Sequence, residues 1–110
     1  MSKDLNIGVL LDFYGFALTE KQVKVLGMYY NEDMSLSEIA EETGITRQAA
    51  LDFIKRGGEK LNRLEAELRL YQKFGVVTQA LSQAKDYAEA KGNEKLTDTL
   101  AQALTVWEEE

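Results

Sequence analysis

Leu36-Ser37-Glu38-Ile39-Ala40-Glu41-Glu42-Thr43-Gly44-Ile45-Thr46-Arg47-Gln48-Ala49-Ala50-Leu51-Asp52-Phe53-Ile54-Lys55 is the stretch that decides the fold. Ser35 precedes it and Glu38 stands three residues on, the spacing at which side chains and backbone N–H groups cap each other reciprocally. A short helix from Leu36 to about Thr43 follows. Gly44 ends it, since glycine takes a positive φ at little cost, and Thr46 caps the next helix. Two helices meeting at a tight corner need a small residue at the crossing, a tolerant residue in the turn and an apolar plug behind it. Ala40, Gly44 and Ile45 fill those three positions, and Ile39, Ala50 and Phe53 supply inward contacts. The stretch reads as a helix-turn-helix, classed here as winged-helix-like.

Upstream, Thr19-Glu20-Lys21-Gln22 is another capping box and starts a helix to about Tyr30, with Val23, Leu26 and Tyr30 inward. Asp4 caps a first helix running to about Tyr14, with Leu5, Val9, Leu10 and Phe13 on one face and Gly15 as its stop. Phe13 is expected in the core, and Tyr14 half-buried with its hydroxyl bonded. Tyr29 and Tyr30 are expected to pack at a helix end rather than to stack on nucleic-acid bases.

Downstream, Ala50, Phe53, Ile54, Leu61, Leu64, Leu68 and Tyr71 recur at three- or four-residue steps, so the second helix of the motif continues as a long helix that Gly75 ends. Gly57-Gly58 interrupts it. Each glycine costs roughly 1 kcal/mol against alanine in a helix interior, so a bend, weak point or break is expected. A helix from about Val76 to Lys91 carries Val77, Ala80, Leu81, Ala84 and Ala88, and Gly92-Asn93 marks a turn. The last helix runs from Glu94 to about Trp107 with Leu96, Leu100, Ala103, Leu104 and Trp107 on its stripe, and Glu108-Glu109-Glu110 forms a solvated tail. The expected fold is all-α, a helix-turn-helix N-terminal bundle followed by a long helix and C-terminal helices. It forms one domain over residues 1–110, with the motif core at 19–56 and a helical extension at 59–107.

Composition narrows the function. The 110 residues are 45% hydrophobic, enough for one core, and contain no Cys, His or Pro. Disulfides, thiolate sites and histidine-based acid–base or metal chemistry are thereby excluded. Glu41-Glu42 does not converge on a metal, because adjacent helical residues point about 100° apart; no cofactor or metal is expected. No apolar run approaches the roughly 20 residues of a membrane span, and no membrane contact is expected. The net charge of −6 opposes nonspecific polyanion binding, so any nucleic-acid surface must be local.

That local surface is the outward side of the second motif helix: Thr46, Arg47, Gln48, Leu51, Asp52, Lys55 and Arg56. From Thr46 to Arg56 there are three positive residues and one negative, a balance of +2. The N-terminal residues of such a helix face base edges in the major groove. Arg47 fits guanine, Gln48 fits adenine, and Lys55 and Arg56 fit phosphate. Glu32, Asp33, Glu38, Glu41 and Glu42 would repel a backbone crossing the preceding helix. A motif turned to protein contacts is the competing reading.

Several boxes resemble the YlxM family of small bacterial helix-turn-helix proteins, encoded beside signal recognition particle genes. They are Leu10-Leu11-Asp12-Phe13-Tyr14-Gly15, Leu18-Thr19-Glu20-Lys21-Gln22, Tyr29-Tyr30, Ser35 to Glu42, Thr46-Arg47-Gln48-Ala49 and Ile54-Lys55-Arg56, spanning the first half of the chain. The second half is similar only in length and helical character. The chain departs from the family pattern at Gly57-Gly58, Ala50-Leu51 and Phe53. The resemblance implies a cytoplasmic accessory role in protein targeting, with the targeting GTPase and its small RNA as partners, and a fold similar to the promoter-reading domain of sigma factors.

The functional expectation is a non-enzymatic helix-turn-helix regulator of the signal recognition particle pathway, with sequence-specific DNA binding as the alternative. Leu61, Leu64, Leu68 and Tyr71 also form a seam that could serve a homodimer or an internal core.

Overall fold

A computed structural model describes residues 5–106, the side chain of Leu5 excepted. The expected cap at Asp4, the packing of Leu5, Trp107 and the Glu108–Glu110 tail lie outside the described residues. The described residues form α1 (Leu5–Tyr14), a 3-10 turn (Gly15–Ala17), α2 (Glu20–Tyr30), α3 (Leu36–Thr43), α4 (Arg47–Leu68), α5 (Leu70–Ala90) and α6 (Glu94–Thr105). No strand occurs among them, so the motif carries no β wing there. The chain divides into two compact units, Met1–Leu70 and Tyr71–Glu110.

In the first unit α4 packs against α1, α2 and α3. Both capping boxes form. Thr19 Oγ1 accepts from Gln22 N at 3.1 Å while Gln22 Oε1 accepts from Thr19 N at 3.0 Å, and Ser35 and Glu38 repeat the exchange at 3.1 and 3.0 Å. Tyr14, Leu26, Ile39 and Leu61 are the largest fully buried side chains. The inward faces of α1 and α2 differ from expectation. Ile7, Leu10, Leu11 and Tyr14 are buried in α1, whereas Val9 and Phe13 are half-buried. Val25, Leu26 and Met28 are buried in α2, whereas Val23 is exposed and Tyr30 half-buried. Both helices are short and apolar on more than one side, so several phases of a 3.6-residue period fit them equally. Tyr29 and Tyr30 meet edge-to-face at 5.0 Å and pack against the core.

The glycine pair does not break α4, which is continuous through it. A Cβ on Gly57 would lie 2.8 Å from both terminal methyls of the buried Leu26, while a Cβ on Gly58 would meet nothing within 4 Å. The Leu26 side chain of α2 therefore packs directly on the backbone of α4 at Gly57. The helix-propensity cost of that glycine is offset by the packing it permits.

The break falls at Arg69 instead, with φ 56° in the left-handed region, and α5 runs on through Gly75. Arg69 N donates to Glu65 O at 2.8 Å. The hydroxyl of Tyr14 accepts from Leu70 N at 2.9 Å and donates to Glu65 Oε1 at 2.5 Å. A phenol from α1 thus serves as the first cap of α5. Lys60 Nζ likewise donates to Ala17 O at 2.6 Å, tying α4 to the 3-10 turn.

In the second unit, Gly92 (φ 71°) makes the turn between α5 and α6, and Asn93 caps α6 by accepting from Leu96 N at 3.1 Å. No helix among the described residues is long and apolar enough to cross a membrane.

Candidate nucleic-acid interface

The corner between α3 and α4 is fixed from behind. Gly44 adopts φ 76° and ψ 13°, and its N–H donates to Ala40 O at 3.0 Å. Thr46 Oγ1 accepts from Ala49 N at 3.0 Å. Ile39 and Ala50 are fully buried and Ile45 packs against the core, as the sequence predicts. Phe53 is half-buried, with Lys21 Nζ 5.6 Å from its ring centre.

This anchoring sets which side of α4 faces out. Ala50, Ile54, Gly57 and Leu61 are buried. At about 100° per residue, Gln48, Asp52, Lys55 and Arg56 fall on the other side and Leu51 at its edge, while Arg47, three residues before Ala50, lies near the buried stripe and is outside because it is the first residue of the helix. Thr46, Arg47, Gln48, Asp52, Lys55 and Arg56 are exposed and Leu51 is half-buried, so the structure brings the predicted set together on one surface. Among the described residues, the side chains of Arg47 and Lys55 have no ion-pair partner. Arg56 Nε pairs with Asp52 Oδ2 at 3.1 Å on the same helix. Such an exposed pair contributes about 0.3–0.5 kcal/mol, little enough for a phosphate to displace the aspartate.

The surroundings add two features. Lys21, placed over Phe53 by the start of α2, joins the basic flank of α4. The sequence hides this contact because the two residues lie far apart along the chain. On the other side, Glu38, Glu41 and Glu42 are exposed around a shallow groove of about 290 Å³ that Met34 also lines. Like charges there make the surface of α3 unfavourable for a polyanion. Among the described residues no group of three His, Cys, Asp or Glu side chains could hold a metal ion.

Residues 1–101 match the model of family UPF0122, described as "Putative helix-turn-helix protein, YlxM / p13 like". The chain belongs to this family. The UPF0122 protein of Halalkalibacterium halodurans is 38% identical over 108 residues, covering 98% of this chain and 99% of that protein. The UPF0122 protein of a Geobacillus species is 40% identical over 94 residues, 86% of each chain. That of Acetivibrio thermocellus is 49% identical over 74 residues, 67% of this chain and 63% of its own. The UPF0122 likeness thus extends from the boxes of the first half well into the second. The α3–α4 corner, with its left-handed Gly44, has the geometry that description names.

Proposed function

We propose that this protein is a non-enzymatic regulator that works by presenting the start of α4 to nucleic acid. The observation that carries the reading is the exposed, unpaired Arg47 beside Gln48 on the first turn of α4, held by a fully packed corner. Two forked side chains at this position have the reach and donor geometry for base edges. The free N–H groups and positive dipole of a 22-residue helix favour phosphate at the same end.

Within this reading, the role proposed is an accessory one in protein targeting in the cytoplasm, with the targeting GTPase and its small RNA as partners, as the resemblance of the sequence boxes to the YlxM family implies. The test is capture of both from cytoplasm on the purified protein. Enrichment of the RNA, lost on Arg47→Ala, supports the role, and equal recovery of RNA and GTPase with an unrelated acidic helical protein refutes it. Sequence-specific DNA binding is the second reading, favoured by the guanine- and adenine-matching pair Arg47 and Gln48. It requires an affinity for duplex DNA that falls steeply with added salt.

A further inference from the structure

Helix α5 has two apolar faces. Phe74, Thr78, Leu81, Lys85 and Ala88 are the half-buried or buried positions, recurring every three or four residues as one inward face. About 120° round the helix, Val76, Ala80, Ala84 and Tyr87 form another face, and all four are exposed. Val76 is 66% and Tyr87 65% exposed; Val77, between the faces, is 53% exposed. A helix packing on one neighbour needs a single stripe. A second stripe of valine, alanine and tyrosine is what a helix with a further neighbour carries.

We infer that this second face pairs with α5 of a second copy of the chain, antiparallel, with the two-fold axis at Ala80. The face is complementary to itself about that point. Ala80 meets Ala80, and two small residues let the backbones approach closely. Val76 falls opposite Ala84, large against small. Tyr87 falls opposite Lys73, which is exposed on the same face. Lys91 Nζ already sits 5.4 Å from the Tyr87 ring centre, and Lys73 of the second copy supplies a cation for the opposite side of the ring. A wrong register would lose each of these pairings together.

The available area suffices. Full burial corresponds to about 60–120 Å² for a valine and about 150–250 Å² for an aromatic side chain. With their exposed fractions, Val76, Val77 and Tyr87 together with the two alanines offer about 300 Å² of apolar surface. At roughly 60% apolar content, complete burial of that surface corresponds to about 500 Å² per copy, which brings the pair to about 1,000 Å², the lower bound for a biological interface and the size of a weak one. The inference is independent of nucleic-acid binding. Of the seam read at Leu61, Leu64, Leu68 and Tyr71, Leu61 is fully buried in the first unit and serves the internal core, Leu64 is half-buried, and Leu68 and Tyr71 are exposed.

The absence of cysteine makes the test direct. Full-length protein at about 0.1 mM should sediment near twice the chain mass of 12.4 kDa. Ala80→Glu, which sets two like charges on the axis, should raise the dissociation constant at least tenfold with unchanged helical circular dichroism. Ser82→Glu, on the far side of α5, should leave it unchanged. Under mild oxidation Ala80→Cys should cross-link to a covalent dimer and Ser82→Cys should not. A monomer at that concentration overturns the inference. So does a dimer that tolerates Ala80→Glu and does not cross-link through position 80, the result expected if the face serves a different partner.

Discussion

Helices α4 and α5 have nearly the same length, 22 and 21 residues, and both carry apolar residues at helical spacing. Their surfaces are opposite in character. From Arg47 to Arg63 the residues that α4 leaves fully exposed are all charged or polar, while its apolar face is consumed by the core through Ala50, Ile54 and Leu61. What α5 leaves outside includes Val76, Val77 and Tyr87. The hydrophobic effect acts on area removed from water. The same periodicity therefore contributes to folding in α4 and remains available to association in α5.

Truncation separates the two roles most sharply. Leu61→Ala should cost about 2–5 kcal/mol of folding stability, since a fully buried leucine leaves a cavity. Val76→Ala should change it by less than about 0.5 kcal/mol. Urea denaturation followed by circular dichroism, below the concentration at which chains associate, measures both. Equal losses would erase the distinction. Next in size is Tyr14→Phe, which removes the hydroxyl shared by Leu70 N and Glu65 where α4 gives way to α5. A loss of about 1–3 kcal/mol is expected in the same assay, and a neutral result would show that the backbone breaks at Arg69 without it.

The smallest effects are the most discriminating. Gly57→Ala drives a methyl into Leu26 and should destabilise by about 1–2 kcal/mol after the gain in helix propensity is counted. Gly58→Ala, with open space around its added carbon, should stabilise by about 0.5–1 kcal/mol. Combining Gly57→Ala with Leu26→Ala should show coupling between the two sites, because the clash disappears with the leucine.

These residues also show what the sequence makes legible. The caps at Thr19, Ser35 and Thr46 and the turn at Gly44 are local devices, and each is readable from a few neighbouring residues. Gln48, Lys55 and Arg56 read as outward because Ala50 and Ile54 define the inner face of their helix, whereas Arg47 is outward because it opens the helix. Three features were not legible. Gly57 looks like a helix weakness until Leu26, from another helix, is seen against it. The break at Arg69 is accompanied by a hydrogen bond from Leu70 N to a hydroxyl 56 residues upstream, which no neighbouring residue announces, whereas Gly75 is a visible local stop signal. The phases of α1 and α2 were misjudged because both helices are apolar on several sides, and only the neighbours select among them.

The proposed function rests on the first turn of α4. Nucleic acid cross-linked to the protein in its own cells can be recovered and sequenced, and its affinity for wild type and Arg47→Ala compared. The expected result is binding weakened by Arg47→Ala by about 1–3 kcal/mol, or roughly 5- to 150-fold, with thermal stability unchanged. Recovery of no nucleic acid above background, or an Arg47→Ala protein that binds as tightly as wild type, would contradict it.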